Sequence, residues 1–369
     1  MKTARLATLL AAAAIALLIH SPPAWSADPA KPESGQVNLT YEAGNAVGRL
    51  YTPVKVITEG RPLMIQGAKG KLSVGGEDVL VAARRAGADD FIGLDADGSG
   101  SIDQREWFVV KGRPITVDLK LPSGSSGKRD YSVTLIARVY LSGTTIVAIA
   151  GKYHVNCCRK GAINGTVIRI IDDNMDGRIT QDGADAIAIG DSPVAVPLQA
   201  VHQVGGKFYK LQVAEDGSSL TAAPLSDVKL GAVETPFKTA ALKCLVLTGK
   251  EGSFDVVTGG KLGIPAGEYR LAYGMLASGQ EMLPIVPTQS ALSYPIEADK
   301  LNVIRIGAPL KVDFMAGIAE NGITVSPPLQ VLGAGGEQYA ADWTNRATQP
   351  HVLLMNGDRV LSDTPMSYG

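Results

Sequence analysis

The chain has 369 residues, 45% of them apolar, and sets 35 Lys and Arg against 36 Asp and Glu. That near-neutral balance, with no basic cluster, excludes the phosphate neutralisation on which nucleic-acid binding depends, and the length exceeds what one hydrophobic core ordinarily serves. The 42 glycines and 21 prolines beside few aromatics point to many turns joining short strands.

In chain order, residues 1–26 come first. Lys2 and Arg5 precede an apolar run over 6–19, and Ala24-Trp25-Ser26 places small residues at the −3 and −1 positions. This is the pattern of a secretory signal peptide cut after Ser26, and it predicts a secreted or periplasmic protein. The run is too short for a membrane span, and no later stretch approaches the roughly 20 apolar residues one needs. No span is therefore expected once the leader is removed.

Period-two alternation at 37–41, 115–121 and 131–136 predicts half-buried strands. The more apolar runs 145–150, 166–171 and 243–247 predict buried ones. The best helical candidate is 77–86, followed by a turn over 88–94. Turn signals fall at 123–127, Asp216-Gly217 and Asn356-Gly357, the last predicting a two-residue hairpin between 351–355 and 359–361. No βαβ alternation appears, so the expected fold class is mainly β: multi-domain antiparallel β-sandwich modules, with two Asp- and Gly-rich loops inserted at 94–106 and 172–185. The expected division is a β-rich region over 27–204, a sandwich-like module over 205–308 and a small C-terminal β module over 309–369.

The strongest chemical signal is the run LDADGSGSIDQRE at 94–106. Calcium takes six to eight oxygens, and a twelve-residue loop supplies them from positions 1, 3, 5, 7, 9 and 12 with glycine at 6. Counting from Asp95 puts Asp95, Asp97 and Ser99 at 1, 3 and 5 and Gly100 at 6. The Ser101 carbonyl falls at 7, Asp103 at 9 and Glu106 at 12, with Ile102 at 8 as the apolar anchor. This run resembles an EF-hand loop, although 107–110, after Glu106, reads as strand where that family has a helix.

A second run over 172–185 repeats the first half of the pattern. Asp172, Asn174 and Asp176 fall at 1, 3 and 5, Gly177 at 6, Arg178 at 7 and Ile179 at 8. Position 12 is Gly183, so the bidentate acid is missing there. Asp182 or Asp185 closes the cage if the exit bends differently, as in the broader class of DxDxDG and dockerin-like loops. Further on, 264–271 (IPAGEYRL) resembles the proline-glycine-tyrosine corner of prealbumin-like or immunoglobulin-like modules.

Other chemistries lack their signatures. His154, His202 and His351 are the histidines beyond the leader, and no nucleophile elbow, zinc-protease helix, P-loop or dinucleotide fingerprint is present. His154, Cys157 and Cys158 are residue types that suit zinc or copper, but they read first as the end of a strand, with 159–161 turning back towards Asn164-Gly165. Cys157 or Cys158 bridging Cys244, a vicinal disulfide, and free thiols all remain open. The layout resembles secreted bacterial proteins that combine EF-hand-type loops with β-sandwich modules. The expected function is that of an exported calcium-binding protein with Ca2+ as a stabilising staple and a cell-surface or extracellular ligand as a further partner. An extracellular hydrolase using carboxylates and an adhesion or wall-binding protein are the alternatives.

Overall fold

A computed structural model describes residues 35–43, 61–110, 114–122, 128–192, 194–235, 242–257, 262–278, 281–288, 292–319, 322–339 and 351–365. The leader-like segment and the turn expected at 123–127 lie outside them. The described residues are mainly β, and their one helical element is the 3-10 turn Gln104–Glu106.

Among the described residues the strands form seven sheets, nearly all of their pairs antiparallel. Two position the candidate site. One runs in the order Lys69–Val74, Glu77–Ala86, Asp89–Leu94 and Trp107–Val110. The other runs Arg61–Gln66, Thr145–Val155, Lys128–Ser142 and Ile115–Pro122. Both feed one hydrophobic core that holds Val79, Val81, Ile92, Val117, Leu119 and Ile149 among others.

Glu77–Ala86 corrects the helical expectation. It is a strand paired with neighbours on both sides, Leu72 opposite Val79 and Ala83 opposite Ile92. Val79, Val81 and Ala83 are buried in alternation, the period-two signature that the apolar Leu80, Ala82 and Ala86 on the other face disguise. The turn expected over 88–94 shrinks to Gly87-Ala88, and Asp89–Leu94 is the returning strand. Similarly, 159–161 continue the strand Cys157–Ile163, and the chain reverses at Asn164-Gly165.

A five-stranded sheet, ordered Val196–Pro197, Ala186–Ile189, Thr166–Ile171, Cys157–Ile163 and Thr40–Ala43, carries the second loop between two of its strands. Ile168, Ile170, Ile179 and Ile187 pack there with Val246 and Tyr273 in a second core. A third core gathers Phe254, Tyr269, Leu271 and Ile285. The corner expected at 264–271 forms: buried Tyr269 donates its hydroxyl to the Pro265 carbonyl at 2.9 Å. The expected hairpin forms from His351–Asn356 and Arg359–Pro365, but its two-residue turn is Gly357-Asp358, one residue beyond the Asn356-Gly357 signal, with Asn356 paired to Arg359.

Candidate metal centre

The first loop is strung between two neighbouring strands, Asp89–Leu94 entering it and Trp107–Val110 leaving it. It is tied down further by Asp95 N–H donating to Leu80 O at 2.9 Å and by Lys120 N–H donating to Ala96 O at 2.7 Å. Within it, Asp95 accepts Ser99 N–H on Oδ1 (2.9 Å) and Gly100 N–H on Oδ2 (2.8 Å). Asp97 Oδ1 also accepts Ser99 N–H, at 2.9 Å. Glu106 folds back under the loop, where Oε1 accepts Ala96 N–H at 2.7 Å and Asp97 N–H at 3.2 Å, and Oε2 accepts Asp103 N–H at 2.9 Å.

The outcome is convergence. One carboxylate oxygen from each of Asp95, Asp97 and Glu106 lies within 4.8 Å of the others. Two oxygens on opposite sides of a calcium ion, each bonded at 2.3–2.6 Å, are separated by about 5 Å at most, so this spacing fits a single ion. Asp95 and Glu106 are buried, at 7% and 9% exposure, while Asp97 is open to solvent. Ser99 Oγ donates to the Ser101 carbonyl at 3.1 Å, both residues being exposed. Asp103 stands outside the converging group and caps the 3-10 turn, its Oδ1 accepting Arg105 N–H at 2.7 Å. The donors are all hard oxygens, the set that calcium and magnesium prefer.

The second loop repeats this wiring. Gly177 N–H donates to Asp172 Oδ2 at 3.0 Å, as Gly100 does to Asp95, and Asp176 N–H donates to Asn174 Oδ1 at 3.0 Å, as Ser99 does to Asp97. Of the two acids left open by the sequence, Asp185 turns inward, at 1% exposure. Its Oδ1 accepts Asp173 N–H at 3.1 Å and its Oδ2 accepts Thr180 N–H at 2.6 Å. Asp182 is exposed and engaged locally by Ala184 N–H at 3.0 Å and the Thr180 hydroxyl at 2.8 Å. Those bonds hold its carboxyl below the usual range. Burial pushes Asp185 up to about 7 and raises Asp172 as well. Arg178 sends its guanidinium to Glu215, outside the loop.

Sequence reasoning missed the surroundings of Asp172. Tyr131 donates its hydroxyl to Asp172 Oδ2, and Arg129 lies 3.6 Å from the same oxygen. Both come from a strand about forty residues earlier, so no local spacing announces them. A cleft of about 340 Å3 opens beside this loop, lined by Asp173, Asp182, Asp185, Gln199, Thr248 and Tyr273 among others.

His154, Cys157 and Cys158 are all buried, and none of the three cysteines is joined in a disulfide. Adjacent strand residues face opposite sides, and burial raises both neighbouring thiols, Cys158 to about 12, which favours the protonated form over the thiolate that metals bind. Compared with known proteins, the chain matches no family model, no curated protein and no solved structure.

Proposed function

We propose that the chain is an exported calcium-binding protein in which the ion held by loop 94–106 staples the β framework. The observation that carries this reading is the convergence of Asp95, Asp97 and Glu106 to within 4.8 Å. The leader-like 1–26 supports export, and outside the cell calcium is abundant and steady, which suits a staple better than a signal. The loop joins two paired strands and is hydrogen-bonded to two more through Leu80 and Lys120. An ion there ties strand ends together, in contrast to the helix pairs that open a target groove in calcium sensors.

A carboxylate hydrolase has a cleft to recommend it, beside Asp173, Asp182 and Asp185. It ranks below the staple, which rests on three carboxylates converging in one loop. Calorimetric titration of the exported chain with calcium tests the proposal. Glu106→Gln is expected to remove one binding event, and an unchanged isotherm would refute it.

A further inference from the structure

We propose that loop 172–185 is a second site for an oxygen-preferring divalent cation, closed by Asp185 two positions beyond the slot that closes the first. It uses the coordination chemistry of the reading above on different residues, so either can fail without the other.

The first support is correspondence. In the first loop the closing carboxylate accepts the N–H groups of positions 2 and 9, which are Ala96 and Asp103. In the second loop Asp185 accepts the N–H groups of Asp173 and Thr180, again positions 2 and 9. A carboxylate pinned at the same two points of the loop stands where Glu106 stands, although its side chain is one methylene shorter and starts two residues later. The extra residues let the backbone travel the distance that the shorter side chain does not.

The second support is independent of that wiring. Asp172 is 8% exposed, and its Oδ1 is buried with no hydrogen-bond partner. The bonds from Gly177 and Tyr131 and the approach of Arg129 all fall on Oδ2. In the first loop the corresponding oxygen, Asp95 Oδ1, is the one turned to the position-5 N–H. In the second loop that N–H is given to Asn174 instead, so Asp172 Oδ1 has no donor from the loop. A buried carboxylate oxygen without a partner is costly, and a cation seated in the loop supplies what it lacks.

Charge then ranks the two sites. Each brings three carboxylates, Asp95, Asp97 and Glu106 in the first and Asp172, Asp176 and Asp185 in the second, but Arg129 stands 3.6 Å from Asp172. That neighbouring positive charge lowers the net charge offered to a cation, so the second site is the weaker.

Calorimetry with calcium on the full exported chain tests this. The wild type is expected to take up two ions and Asp185→Asn one, while Asp182→Asn keeps both. Arg129→Met removes a neighbouring positive charge and is expected to tighten the weaker event by about tenfold. Terbium luminescence gives a readout that does not depend on Asp185→Asn folding well: excited through tyrosine, the second site is expected to emit, and Tyr131→Phe to quench it. Retention of both ions in Asp185→Asn would overturn the proposal, as would a single wild-type ion that Glu106→Gln abolishes. An unaltered weaker event in Arg129→Met, with no tyrosine-sensitised emission, would overturn it too. A single wild-type ion lost in Asp185→Asn but kept in Glu106→Gln would uphold this site and sink the first.

Discussion

Glu106→Ala tests the staple most directly, because the carboxylate has two roles that separate experimentally. With chelator present, the variant loses an acceptor for three backbone donors, Ala96, Asp97 and Asp103, at 2.7, 3.2 and 2.9 Å. Hydrogen bonds to a charged partner contribute about 1.5–3 kcal/mol each. Asp97 and Asp103 lie on the exposed side of the loop, where water replaces part of what is lost, so a total of about 2–4 kcal/mol is expected. With calcium about a hundredfold above its dissociation constant, the wild type gains about 2.7 kcal/mol more and the variant gains nothing. The gap between the two proteins should therefore widen from about 2–4 to about 5–7 kcal/mol on adding calcium. Urea denaturation followed by the fluorescence of Trp107, the next residue in the chain, measures both gaps. Equal gaps in chelator and calcium would refute the idea that Glu106 holds the ion. No gap in chelator would refute the role of its hydrogen bonds.

Three further outcomes are expected. Gly75 and Gly76 form a hairpin turn at φ +58° and +82°; a Cβ on Gly75 would lie 1.8 Å from the Met175 carbonyl of the second loop, whereas one on Gly76 meets nothing within 4 Å. Thermal melting should accordingly show Gly76→Ala costing about 1 kcal/mol and Gly75→Ala about 3 kcal/mol or more; equal losses would contradict the contact. His202 is wholly buried, and burial lowers its imidazole to about 4; below pH about 6.5 the unfolded chain takes up a proton that the folded chain refuses until about pH 4, so stability falls on acidification through that window by up to about 3 kcal/mol. The difference in urea midpoint between wild type and His202→Gln should shrink over the same window, and a difference independent of pH would count against it. Glu337, fully buried, accepts Gly307 N–H at 2.6 Å, Gly335 N–H at 3.0 Å and the Tyr339 hydroxyl at 2.9 Å; Glu337→Ala strands all three donors and should cost about 3 kcal/mol or more in a denaturant titration, and a neutral result would mean that water or a shifted backbone replaces the carboxylate.

The β character is legible in the sequence wherever one face of a strand is polar, as in Ile115–Pro122, or wherever a short apolar run ends at a clear turn, as in Thr166–Ile171. Glu77–Ala86 hides its alternation because its second face also carries Leu80, Ala82 and Ala86, and alanine-rich segments score well as helix. In the first loop Asp95, Asp97 and Glu106, read from spacing alone, do converge, whereas Asp103 caps the 3-10 turn instead. In the second, position 12 is Gly183 and spacing leaves Asp182 and Asp185 open; only the fold shows that Asp185 is the one turned inward. Tyr131, Arg129 and Gly75 reach that loop only through tertiary structure. Glu337 and His202 likewise carry no local mark, since what defines them is complete burial beside backbone groups brought close by the fold.

The hairpin of Ile115–Pro122 and Lys128–Ser142 touches both loops, Lys120 N–H reaching Ala96 O and the Tyr131 hydroxyl reaching Asp172. Its register sets Leu119 opposite Tyr131 and Lys120 opposite Asp130. Slipping Lys128–Ser142 by one residue sends Tyr131 to the opposite face and leaves Asp172 without its phenol. Slipping Ile115–Pro122 by one carries Lys120 N–H away from Ala96. The two loops thus act as a pair of gauge marks on one ruler, met together only when the strands between them are threaded in a single alignment. A chain that mispairs this hairpin misses one mark or the other.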